Sequence, residues 1–154
     1  MKSIDTRFST LREVLVAASA GLLLSVAATS ASGADWAASL RNLTPAQGRT
    51  LLALARDFFQ HSELSDSNYT VCIDPYDNAA ADPQVRTSLE ESMDLVEGAS
   101  RRMGYGSYAE ISDEYERLRL SKMLAEGRWL RQFKKSVEQC LYDQPEVKAR
   151  LNRN

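Results

Sequence analysis

Leu43-Thr44-Pro45-Ala46-Gln47 opens a segment that continues through Leu51-Leu52-Ala53-Leu54-Ala55 and Phe58-Phe59-Gln60-His61 to Leu64-Ser65-Asp66 and Tyr69. The Thr44 hydroxyl can accept from the free N–H groups of a first helical turn. Pro45 suits the first helical position, where no N–H is needed and φ is already set. Leu43, just before the cap, can staple onto the following turn. Leu51, Leu54, Ala55 and Phe58 then fall at i, i+3, i+4 and i+7, one face of a helix. The spacing predicts a capped, amphipathic helix from Pro45 to Phe59, a polar link over Gln60–Ser65, and a second helix capped by Asp66.

The same periodicity runs through the rest of the chain. Tyr69, Cys72, Ile73 and Tyr76 share one face, and Pro75 predicts that their helix is short, kinked or ends near Asp74. Asp82-Pro83 repeats the cap-and-proline pattern and starts a helix to Arg102, with Val85, Leu89, Ser92, Val96 and Ala99 on one side and Met93 and Leu95 beside them. Gly104-Tyr105-Gly106 breaks it, and Ser107 to Glu110 has capping-box spacing for a single turn before Ile111. Ser112 is the expected cap of the next helix, with Tyr115, Leu118, Met123 and Leu124 facing inward. Gly127 ends that helix. Trp129, Phe133, Val137, Cys140 and Leu141 form the stripe of the last main helix, Arg128 to Tyr142, and Pro145 starts a final short turn with Val147 and Leu151. The reading is all-α: one small bundle of about five helices.

The start of the chain is of another kind. Lys2, Arg7 and Arg12 are followed by an uncharged apolar run from Val14 to Ala28 and by the small residues Ser32-Gly33-Ala34. This is the pattern of an export signal over residues 1–34, ahead of a folded domain at 35–154 whose residues 35–42 are a lead-in. The alternative is an uncleaved anchor. Removing residues 1–34 takes away Lys2, Arg7, Arg12, Asp5 and Glu13 and leaves 16 basic against 19 acidic residues, a net charge of -3. Such a balance gives no basic field for nucleic acid. Cys72 and Cys140 are the only cysteines. Outside the cytoplasm they suggest one disulfide, and the rival reading is two small buried side chains that never meet.

The sequence carries no phosphate loop, nucleophile elbow or metal-ligand spacing, so no catalytic, cofactor or metal residue is assigned. His61, the sole histidine, lies near Glu63 and Asp66 and could act as an acid or base with Tyr69; the plainer reading is that His61 closes a helix, Asp66 caps one and Tyr69 is core. Arg128, Arg131, Lys134 and Lys135 make a basic face on the last main helix. That face is either simply solvated or a dock for an acidic partner, with Trp129 as an anchor if it is exposed and as core if it is not.

The chain resembles the gluconate 2-dehydrogenase subunit 3 family, the small subunits of membrane-associated, flavin-dependent sugar and sugar-acid dehydrogenases. The resemblance rests on Leu43–Gln47, on Phe59-Gln60-His61 where the family has phenylalanine-proline-histidine, on Leu64-Ser65-Asp66 and Tyr69, and on Leu141-Tyr142-Asp143-Gln144-Pro145-Glu146-Val147. It covers residues 43–150. It implies a non-catalytic accessory subunit that assists maturation, export or stability of a large flavoprotein subunit. FAD and haem would sit in partner subunits, one of them a multihaem cytochrome c, and membrane association would come through those partners. Periplasmic location follows, by the general secretory route or a degenerate twin-arginine signal, since Ser9-Thr10-Leu11-Arg12 has leucine where that signal has its first arginine. The contrasting reading is a free-standing periplasmic helical ligand-binding protein, or a small enzyme using His61, Asp66 and Tyr69.

Overall fold

The computed structural model describes residues 33–152, so the export-signal reading lies outside it except for Gly33 and Ala34. The described residues form seven α-helices and no strand: α1 (Gly33–Ser39), α2 (Pro45–Phe59), α3 (Asp66–Ala79), α4 (Pro83–Arg102), a single 3-10 turn (Tyr108–Glu110), α5 (Glu114–Leu124), α6 (Arg128–Asp143) and α7 (Pro145–Leu151). The fold is all-α. Helices α2 to α6 are the five long elements expected, and α1 and α7 are short additions at the ends.

Helix α2 is the centre, packed against α1, α3, α5, α6 and the 3-10 turn. Thr44 accepts from the Gln47 N–H, and the Gln47 side chain accepts from the Thr44 N–H, a complete capping box. Leu51 and Leu54 are fully buried, each worth about 1.5–3 kcal/mol of transfer free energy. Against them lie Tyr69, Ile73 and Tyr76 of α3 and Phe133 of α6. Trp129 belongs to this core: its ring stacks on Phe133 at 5.5 Å with 5° between the planes, so it is no surface anchor. Cys72 and Cys140 are joined in a disulfide that ties α3 to α6.

Several expectations are corrected. Residues 35–42 are not a bare lead-in, because α1 buries Trp36 and Ala37 and the Trp36 indole donates to Asp74 at 2.8 Å. Gly48 of α2 faces this contact: a Cβ there would meet Trp36 and Ala37 at ordinary distance and would push aside only the end of the Leu40 side chain. Helix α3 does not stop near Asp74; it continues through Pro75 to Ala79. The bond that Pro75 cannot make would have gone to the carbonyl of Val71, an exposed residue, and the burial of Ile73 and Tyr76 on either side outweighs that loss. Asp66 is the first residue of α3, not its cap; Ser65 is the cap, and its N–H donates to Asn68 Oδ1. Asp113, not Ser112, caps α5 and accepts from Glu116 N–H at 3.0 Å. Tyr115 and Met123 face solvent, because the inward side of α5 is set by Leu120, Ser121 and the Arg117 contact described below. The single turn forms without the Ser107 box: the Glu110 N–H goes to the Ser107 carbonyl instead of its hydroxyl, and the Tyr108 N–H donates to Glu97 of α4.

Helix α4 ends as the glycine predicts. Gly104 takes φ +90°, its N–H returns to Arg101 and the Tyr105 N–H reaches back to Ser100, the paired bonds of a Schellman end.

Candidate functional site

The residues singled out around His61 lie where α2 ends. The helix is closed by Gln60, not by His61. Gln60 has φ 46° and ψ 33°, and its N–H donates to the Arg56 carbonyl at 2.8 Å. No proline could take that φ, so the Gln60 difference from phenylalanine-proline-histidine is a difference of backbone as well as side chain.

The left-handed turn sends His61 towards α6. Its Nε2 lies 2.8 Å from the Tyr142 hydroxyl, and its Nδ1 is 3.9 Å from Glu63. Phe59 also sets its ring edge-on to Tyr142 at 6.1 Å. Two residues further, at the end of α6, Gln144 donates to the Asn68 carbonyl and to Cys72 Sγ, and its Oε1 accepts from the Asn68 amide. Pro145, exposed, starts α7 just after this contact. The two segments that carry the resemblance, far apart in the chain, therefore meet along one seam between the link after α2 and the end of α6. Leu64 is buried in the link.

Asp66 pairs with Arg56 at 2.7 Å on a half-exposed surface. Tyr69 is fully buried beneath the Arg56 guanidinium, which stands 5.2 Å from its ring centroid. Burial pushes the Tyr69 phenol above its ordinary pKa, and Arg56 opposes part of that rise. Its hydroxyl has no hydrogen-bond partner among the described residues, and the nearby backbone N–H of His61 opposes a further part of the rise. His61 and Tyr69 thus border one pocket, whereas Asp66 is turned to Arg56 behind it. The pocket measures about 240 Å³ and is also lined by Arg56, Asp57, Glu114 and Arg117.

Asp57 and Arg117 escaped the sequence reading. Asp57 is buried, and Arg117 Nε donates to both its carboxylate oxygens at 3.0 and 2.8 Å. Tyr108, also buried, donates its hydroxyl to the same carboxylate at 2.7 Å, and burial followed by the Asp57 charge raises its pKa, so it stays a donor. Hydrogen bonding to Asp57 likewise raises the Arg117 pKa. A signal for this cluster existed: an aspartate in the last turn of a helix opposes the dipole and asks for a tertiary cation.

The basic face is present but uneven. Arg128, Arg131 and Lys135 are exposed; Arg131 donates to the Glu126 carbonyl, and Lys134 is half-buried with Nζ 5.7 Å from the Phe58 ring centroid. Among the described residues no three His, Cys, Asp or Glu side chains are placed to hold a metal ion, and no helix is long and apolar enough to cross a membrane. Comparison of the chain with protein-family models, with characterised proteins and with solved structures gave no match.

Proposed function

We propose that this chain is a non-catalytic small subunit of an exported, flavin-dependent dehydrogenase complex, and that it works by binding a large flavoprotein subunit. FAD and haem would be carried by the partners, one of them a multihaem cytochrome c, and the location would be periplasmic. The observation that carries the reading is the seam. His61 is engaged by Tyr142, Asp66 by Arg56 and Gln144 by Asn68. The residues on which the family resemblance rests therefore build the frame of the domain, which leaves its surface to do the work. That surface carries the Arg128, Arg131 and Lys135 face together with large apolar side chains left in water: Leu95 at 71%, Tyr115 at 75% and Met123 at 62% exposure.

The test is co-purification of the tagged full chain from native membrane and periplasmic fractions. A stoichiometric flavoprotein is expected, and it should be lost on reversing Arg128, Arg131 and Lys135 to glutamate. Those side chains are exposed, whereas deleting α6 would remove the core residues Trp129 and Phe133. A solitary monomer would overturn the reading. The second reading, a ligand-binding or catalytic protein in its own right, is favoured by one observation, the unpartnered Tyr69 hydroxyl beside His61.

A further inference from the structure

We propose that the pocket at the carboxyl end of α2 binds a small organic monocarboxylate, held between the Arg56 and Arg117 guanidinium groups and the Tyr69 hydroxyl. The proposal does not depend on the accessory-subunit reading. It starts from what the pocket's own groups leave unmade. Tyr69 is fully buried, yet its hydroxyl has no partner among the described residues. Buried hydroxyls are bonded in the great majority of folded proteins, so one that borders a pocket asks for a partner from within it. Since burial raises its pKa, that hydroxyl is a donor and calls for an acceptor.

The arginines point the same way. Arg56 uses Nη1 for the Leu64 carbonyl and for Asp66. Arg117 uses Nε for Asp57 and Nη1 for the Ile111 carbonyl. The Nη2 group of each has no acceptor among the described residues. Both guanidinium planes are held by these bonds, so their free edges are presented at little further entropic cost, and a guanidinium edge matches a carboxylate. The pocket, about 240 Å³, holds several non-hydrogen atoms, since a water molecule in the liquid takes about 30 Å³. Charge limits the ligand. Asp57, Asp66 and Glu114 together outnumber the two arginines, so a multiply charged anion such as phosphate is repelled more strongly than a single carboxylate, whose binding rests on the hydrogen bonds.

The experiment uses the full chain and acetate as the probe, titrated at constant ionic strength against chloride and followed by backbone and arginine side-chain NMR. Saturable shifts at Arg56, Arg117 and Tyr69 are expected, with inorganic phosphate binding more weakly. Tyr69→Phe removes only the hydroxyl, so it should fold with an unchanged or higher Tm and bind acetate about 5- to 10-fold more weakly, the worth of one hydrogen bond. Arg56→Gln, at a half-exposed position, should weaken binding by about as much. Shifts that never saturate, an unchanged affinity in both variants, or a preference for phosphate would each overturn the assignment.

Discussion

Asp77 is buried and ties three backbone N–H groups of one loop to α3. Its carboxylate accepts from the backbone N–H groups of Arg41, Asn42 and Leu43, at 3.1, 2.8 and 2.8 Å, and its carbonyl accepts from the Asn42 amide. These bonds fix the loop that leads from α1 into the Thr44 cap. Asp77→Ala leaves three N–H groups without an acceptor and should cost about 3 kcal/mol in urea denaturation, while Asp77→Asn, which keeps one acceptor oxygen, should cost about half of that. Gln60 is a second test at this scale. Its φ of 46° is strained for any residue but glycine. Gln60→Gly should raise stability by about 1 kcal/mol, and Gln60→Pro should lower it by about 3 kcal/mol or more, both read from denaturation midpoints. Capping residues were legible one by one where hydroxyl or carboxylate stood directly before proline, as at Thr44 and Asp82. They were off by one at Ser65 and Asp113, because two adjacent residues there could each accept from the first turn. Asp77 was not legible at all, since its partners lie more than thirty residues away.

Among the elements, α3 and α6 are joined by packing, by a covalent bond and by hydrogen bonds. Tyr76 meets Phe133 at 5.2 Å, the Cys72–Cys140 disulfide bridges the helices, and Gln144 reaches back to Asn68. The bridge spans 68 positions, which in the chain-entropy model is worth about 4 kcal/mol. Cys72→Ala/Cys140→Ala, or reduction of the native chain, should therefore lower the unfolding free energy by about that amount, measured by denaturation with and without dithiothreitol. An equal stability in both forms would mean that α3 and α6 hold each other by packing alone. Helix existence was legible from period and punctuation in every long element. The inward phase of α5 was not. Its apolar residues are few, and Arg117, a residue that usually points to water, is drawn in by Asp57 and so rotates Tyr115 and Met123 outward.

For the molecule as a whole, the buried phenols set the alkaline limit of stability. Tyr69, Tyr76 and Tyr108 all have pKa values raised above 10.0, first by burial, with Tyr76 pushed up to about 12. In the unfolded chain they ionise near 10 while the folded chain keeps their protons. The folded state then binds more protons, and stability falls as pH rises. The contribution is complete below pH 10 and is lost above it, at about 1.4 kcal/mol per pH unit for each tyrosine. Tyrosinate absorbance and loss of helical circular dichroism should rise together in an alkaline titration. Tyrosinate that appears well before unfolding would mean that these hydroxyls are open to solvent.

The sequence by itself determined the all-α class, the limits of α2 and α4, those of α6 to within one residue, and the inward stripes of α2, α3 and α6, with Trp129 left open between core and surface. These follow from local terms: helical periodicity, caps and breaks act over a few residues and need no knowledge of distant partners. Only the tertiary structure decided that Cys72 meets Cys140, that α3 passes through Pro75, that His61 turns to Tyr142, and that Asp57, Arg117 and Tyr108 form one buried cluster. Each is a contact between residues far apart in the chain. Its free energy depends on a distance that no local pattern contains, and in Pro75 and Arg117 it reverses what local propensity favours.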